Sequence, residues 1–123
     1  VQTCALPICR LFHRSLANLL ENSARHAPAN SEVTVTLEKV GELAHIAVTN
    51  VGDPITDTHL ARLFERFYRV DASRTRSDMH HGLGLSIVRA VALMHHGDVF
   101  AKSRGGINTF GFSLAIAPRE KNQ

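Results

Sequence analysis

Three polar residues, Asn18, Asn22 and Arg25, stand four and then three positions apart, a spacing that gathers side chains on one face of a helix. An asparagine amide oxygen can ligate a hard cation such as Mg2+ while phosphates supply other ligands, and an arginine one turn on can neutralise phosphate charge. Taken alone, such a stripe is also what a solvated helix face presents. Gly82-Leu83-Gly84-Leu85 leads into a second helical repeat. The unsatisfied N–H groups of a helix start, approached closely over glycine, form an anion site, although a plain loop-to-helix turn has the same composition. The segment lacks the strand-first context of a dinucleotide-binding GxGxxG, and it has no Walker lysine. At Asn50-Val51-Gly52-Asp53-Pro54-Ile55 a strand end sets polar side chains beside a glycine turn, where a planar base could be read or where the chain simply turns.

Regular elements must bring these three segments together. From Arg10 to His26, Phe12, Leu16, Leu19, Leu20 and Ser23 or Ala24 recur at helical spacing, and Pro28 stops the helix soon after. The leucines fall opposite the polar stripe. Val33, Val35 and Leu37 alternate with Thr34, Thr36 and Glu38, and a second β-rich run from Leu43 to Val51 follows a turn at Gly41-Glu42, which predicts an antiparallel hairpin. Thr56 or Asp57 can cap a short helix carrying Leu60, Leu63, Phe64 and Phe67 on one side. Arg69 to His81 is polar and without apolar period, a lid-like loop. Leu83 to His95 is helical through Ile87, Val91 and Met94, with Gly97 suited to the position past its end. Val99 to Ala101 and Thr109 to Ile116 form a strand pair about Gly105-Gly106. This order predicts an α+β fold of two layers, three helices on one face of a mixed, mainly antiparallel sheet.

The 123 residues, 44% hydrophobic and 20% charged, suit one domain with one core. A net charge of +3 with dispersed arginines gives no basis for nucleic acid as a partner. No apolar run approaches the roughly 20 residues that cross a bilayer, so a cytoplasmic domain is expected. Val1 to Cys9, with Cys4 and Cys9, falls outside every pattern above. Val1 to Ile8 resembles the translated read-through of a sequencing-library adapter, and residues 1–9 are expected to be a leader foreign to a domain spanning 10–118, with 119–123 a polar tail.

In order and spacing, Asn18 to Arg25, Asn50 to Ile55, Leu63-Phe64-Glu65-Arg66-Phe67-Tyr68-Arg69 and Gly82 to Val88 resemble the N, G1, F and G2 boxes of histidine kinases. The resemblance runs from Arg10 to about Pro118. The stretch from Leu63 to Asp71, with Gly82 to Val88, is most similar to the heavy-metal sensor kinases of copper and silver resistance. It implies a Bergerat-type α/β sandwich that binds ATP and Mg2+ under a flexible lid. By that resemblance Asn18, Asn22 and Arg25 form the catalytic group, with Asn22 as Mg2+ ligand and Arg25 on phosphate. His26 would line the adenine site, which Asn50, Gly52 and Ile55 would frame. Phe64, Arg66, Phe67, Tyr68 and Arg69 would flank the nucleotide, Arg66 and Arg69 as further phosphate contacts. Gly82, Leu83, Gly84 and Leu85 would present the anion site, and Thr109 belongs to a last glycine-threonine motif.

Hydrolytic relatives carry a glutamate where Asn18 stands, so the resemblance implies phosphoryl transfer rather than hydrolysis. The acceptor would be a histidine on a separate dimerisation domain, and the next acceptor a response-regulator aspartate. The parent protein would be a membrane-bound homodimer with this domain in the cytoplasm. A stand-alone Bergerat ATPase and a degenerate nucleotide-binding interaction module are the competing readings. Departures from the family pattern are Asn50 for the base-reading aspartate, Pro54 for the second G1 glycine, His80 for the first G2 glycine and a blurred Gly106 to Phe110. The neutral Asn50 amide can still accept a hydrogen bond, which predicts modest ATP affinity. His80-His81 and His95-His96 lack further ligands at metal-site spacing.

Overall fold

Proline has no N–H to leave unpaired in a first helical turn, and in the computed structural model, which describes residues 7–68 and 84–116, helix α1 runs Pro7–His26. It therefore begins three residues ahead of the expected Arg10. Arg25 and His26 lie in its last turn, where positive charge meets the negative end of the helix dipole. The stripe that α1 buries is Ser15, Leu19, Asn22 and Ser23, spaced at helical intervals. Leu20, expected in the core, is 36% exposed. The polar face thus turns partly inward, because the helix that begins at Gly84 packs beside it in the same layer.

Strands β1 (Val33–Val40) and β2 (Leu43–Val51) form the expected hairpin. Gly41, at φ 63°, takes the first place of its two-residue loop, where a β-carbon would be strained. Helix α2 (Asp57–Arg62) is capped by Thr56, whose side chain accepts from the His59 N–H. After α3 (Gly84–Met94), strands β3 (Val99–Arg104) and β4 (Ile107–Ala115) pair through Gly105 and Gly106, at φ 59° and 81°. Positive φ at both central residues is the type I′ hairpin turn. The sheet order is β1-β2-β4-β3, each neighbouring pair antiparallel. Residues Arg69 to His81, read above as a lid, together with Gly82 and Leu83, lie outside the described residues.

Register decides which side chains meet the helices. Ile46, Val48 and Asn50 of β2 lie opposite Phe112, Phe110 and Asn108 of β4, and these six share the face that α1 and α3 cover. Ile46, Val48, Phe110 and Phe112 pack with Leu19, Val88, Ala92, Leu63 and Phe64 in the core. Each fully buried side chain of this kind contributes about 1.5–3 kcal/mol. Val35 and Leu37 point the same way from β1 but are 45% and 72% exposed, since the edge strand extends past the helix layer. Leu63 and Phe64 enter the core as predicted, whereas Phe67 is 62% exposed. Its φ of 66° turns the chain away there.

The end of α3 corrects a detail of the sequence. His96 N–H donates to the Leu93 carbonyl at 3.2 Å and Gly97 N–H to the Ala92 carbonyl at 2.8 Å, a Schellman closure. Its left-handed residue is His96, at φ 64°, and not Gly97. Gly97 is needed for room, because a β-carbon there would stand 1.8 Å from the Ser113 carbonyl oxygen. His95 Nδ1–H donates to the Val91 carbonyl at 2.9 Å, so this histidine closes its own helix. Replacing His96 with glycine removes the left-handed strain, and a His96→Gly chain is expected to gain about 1 kcal/mol in denaturant unfolding.

Candidate functional site

The polar stripe of α1 runs between two other segments. At one end Asn18 Nδ2 donates to the Gly84 carbonyl at 3.1 Å, which fastens α1 to the first residue of α3. At the other, the His26 carbonyl oxygen lies 3.3 Å from where a β-carbon of Gly52 would stand. Asn22 sits between them and is 6% exposed. Its Nδ2 has no hydrogen-bond partner among the described residues, an orphaned donor that costs about 1–3 kcal/mol when buried. A bound phosphate oxygen would satisfy that donor, and the amide oxygen beside it is a hard ligand of the kind Mg2+ takes. The residues therefore fit a Mg2+–phosphate group.

A second orphan lies at the end of β2. Asn50, 1% exposed, donates from Nδ2 to the Val51 carbonyl at 2.7 Å, while its Oδ1 is buried without a partner. An unpaired acceptor at a strand end suits an exocyclic amino group of a base. Gly52 keeps the place open: a β-carbon would stand 3.1 Å from the amide nitrogens of both Asn50 and Asn108. Asn108 was not singled out by sequence, yet it is 2% exposed and donates to the Asp53 carbonyl at 2.9 Å. Thr109, its neighbour, points to the opposite face of the sheet, where its hydroxyl lies 3.2 Å from that of Thr49. There it borders an open groove with Glu38, His45, Phe100 and Lys102. The structure thus gives the inward position to Asn108, because strand side chains alternate.

The remaining expected site residues divide by environment. Ile55 and Leu85 are partly buried and pack against the core, and the Ile55 N–H is taken by the Ser103 hydroxyl at 3.0 Å. Phe64 is a core residue. Tyr68 hydroxyl bonds His59 Nδ1, and the Arg62 guanidinium lies 4.5 Å from the Tyr68 ring centre. Arg62 also pairs with Glu65 at 3.0 Å, and the hydrogen bond to Glu65, followed by its charge, raises the Arg62 pKa further. Arg66 lies over the Phe67 ring at 5.1 Å. Arg25 and His26 are exposed at the end of α1. Arg69, Gly82 and Leu83 lie outside the described residues. Among the described residues no three of His, Cys, Asp and Glu gather as a metal site, and no helix is long and apolar enough to cross a membrane.

Comparison with known proteins agrees with this geometry. The family described as histidine kinase-, DNA gyrase B-, and HSP90-like ATPase matches residues 9–119. The probable sensor kinase SilS of Salmonella typhimurium is 38% identical over 112 residues, 91% of this chain and 22% of that protein. The sensor histidine kinase CusS of Escherichia coli K12 is 42% identical over 93 residues, 76% of this chain and 19% of that protein. The chain thus spans about a fifth of the curated relatives it matches. Among solved structures, the mycobacterial sensor histidine kinase MprB superposes with a TM-score of 0.76 at 29% identity, covering 90% of this chain and 76% of that one. These relatives bear out the resemblance to heavy-metal sensor kinases. With a family match across nearly its whole length, the chain belongs to the histidine kinase-, DNA gyrase B- and HSP90-like ATPase family, as an ATP-binding domain of the sensor-kinase kind.

Proposed function

We propose that the chain is the ATP–Mg2+-binding catalytic unit of a two-component sensor kinase, which presents the γ-phosphoryl group to a histidine on a dimerisation domain. The observation that carries this reading is the pair of buried, unpartnered amide atoms, Asn22 Nδ2 and Asn50 Oδ1. One offers a donor on the phosphate side and the other an acceptor on the base side. When bound, Mg2+ would neutralise phosphate charge. The chain's own residues position and polarise: Asn22 would hold the metal, Arg25 would lie by phosphate, and Gly84 and Leu85 would offer N–H groups at the start of α3.

Asn18 bears on the direction of the chemistry. An amide is no proton acceptor at neutral pH, so it cannot activate water as a carboxylate would. Its bond to Gly84 gives it a structural task, joining the metal-bearing helix to the anion-binding one. Transfer to a histidine, and from it to a response-regulator aspartate, follows as the favoured chemistry. The parent is proposed to be a membrane-bound homodimer holding this domain in the cytoplasm.

Calorimetric titration of Mg2+ and a non-hydrolysable ATP analogue is the test. Wild type is expected to bind in the micromolar to millimolar range, on the order of 4–8 kcal/mol, and Asn22→Ala to lose that binding. Mg2+-nucleotide binding that survives Asn22→Ala would overturn the metal role.

A further inference from the structure

Behind the base-reading end of β2 lies a second polar cluster. Ser103, on β3, and Asn108, on β4, face each other across the hairpin. The Ser103 hydroxyl donates to Asn108 Oδ1 at 2.5 Å and accepts from the Ile55 N–H at 3.0 Å. With its oxygen so engaged, the Asn108 amide turns its nitrogen to the Asp53 carbonyl at 2.9 Å. The Gly52 N–H donates to the Gly106 carbonyl at 3.0 Å. The loop from Gly52 to Ile55 is therefore fastened at three of its residues to the β3–β4 hairpin.

This fastening reaches Asn50 through one peptide group. The Val51 carbonyl that receives Asn50 Nδ2 shares its peptide plane with the Gly52 N–H, which is itself held by Gly106. A carboxamide can present either its oxygen or its nitrogen. Here the Val51 carbonyl holds the nitrogen and leaves the oxygen unpaired. An aspartate needs no such orientation, because both its oxygens accept; an asparagine does.

We infer that Ser103 and Asn108 are positioning residues that fix which end of the Asn50 amide faces the base, so that the site selects a purine bearing a 6-amino group over one bearing a 6-oxo group. The inference rests on the nucleotide-site reading above. Ser103 sets the sense of Asn108, Asn108 and Gly106 set the Gly52–Asp53 turn, and that turn presents the carbonyl that orients Asn50. With the brace gone, the Val51–Gly52 peptide is held by Gly106 alone, and the Asn50 amide can turn over more readily and donate to a 6-oxo group.

The test is binding of ADP and IDP, with Mg2+, to the wild-type chain and to Ser103→Ala and Ser103→Thr. Wild type is expected to prefer ADP. Ser103→Ala, which deprives both the Ile55 N–H and Asn108 Oδ1 of a partner, is expected to narrow that preference at least threefold. Ser103→Thr, which keeps the hydroxyl, is expected to retain it. Equal weakening toward both nucleotides would show a merely structural role and overturn the inference, as would an unchanged ratio. Wild type that binds neither nucleotide would sink the nucleotide site itself, and the inference with it. Should Ser103→Ala not fold, amide exchange at Ile55 in wild type decides: a protected N–H is expected, and exchange at the rate of an open loop overturns the brace.

Discussion

Replacing Asn22 with leucine is expected to stabilise the empty domain while removing its ability to bind Mg2+-nucleotide. The amide is 6% exposed with an unpartnered Nδ2. Removing an orphaned donor recovers up to about 1–3 kcal/mol, and an apolar replacement of similar shape is then neutral or favourable. The same change deletes the proposed metal ligand and should weaken binding by at least about 30-fold, roughly 2 kcal/mol. Ligand at 100 times the wild-type Kd raises wild-type stability by about 2.7 kcal/mol, but that of a variant bound about 30-fold more weakly by only about 0.9 kcal/mol. The variant's lead is therefore expected to shrink by about 1.8 kcal/mol, and to reverse where its empty-state gain is smaller than that. Thermal melts with and without Mg2+-nucleotide check this. A variant less stable than wild type in the empty state would mean that Asn22 is a structural residue first, and its site role would lose its support.

The second large effect is expected at Gly97. Alanine there would set its β-carbon 1.8 Å from the Ser113 carbonyl oxygen and 2.4 Å from the carbonyl carbon. Neither can yield easily, because the Ser113 N–H is bound to the Asp98 carbonyl at 2.8 Å and the Asp98 N–H to the Ser113 hydroxyl at 3.0 Å. A flexible side chain could swing aside; two strands' worth of backbone cannot. Gly97→Ala is expected to cost at least about 3 kcal/mol, at the upper end for overpacking. Gly41→Ala provides the control, since nothing lies within 4 Å of a β-carbon there and the cost is only that of a positive φ, about 1–2 kcal/mol. If urea melts find both variants equally destabilised, the close approach of α3's end to β4 is wrong.

The elements were legible because each carries its own local signal. Val33, Val35 and Leu37 alternate, Gly41 and Gly105-Gly106 sit where two-residue hairpins need positive φ, and Thr56 caps α2. What escaped the sequence depends on which face of an element is covered. Leu20 and Leu37 look like core residues but project where no other layer lies. Ser15, 0% exposed, looks like a surface residue but belongs to the buried stripe of α1, whereas Ser23, also 0% exposed, falls on the apolar period. At the site, Asn18, Asn22, Asn50 and Gly52 could be chosen by chemistry and order, and the structure brings them to one region. Asn108 could have been found by parity: Phe110 and Phe112 face inward, so the residue two before Phe110 does as well, and Thr109 does not. Nothing local in the sequence announces Ser103, whose task exists only once β3, β4 and the turn after β2 are side by side.

The strand order places β2 beside β4, so Asn50 meets Asn108 across nearly half the chain's length. Each flanking hairpin can close early on its own, since its loop is short. Joining the hairpins must instead enclose α2, α3 and all that lies between them, and such long-range pairing is slow because its chain entropy is lost before its contacts form. The end of β2, where Asn50 meets Asn108, is therefore expected to assemble late in folding. Given the proposed nucleotide site, a chain that has its helices and both hairpins but not this central seam would have no place for a nucleotide, so ligand binding would certify completion rather than guide the early steps.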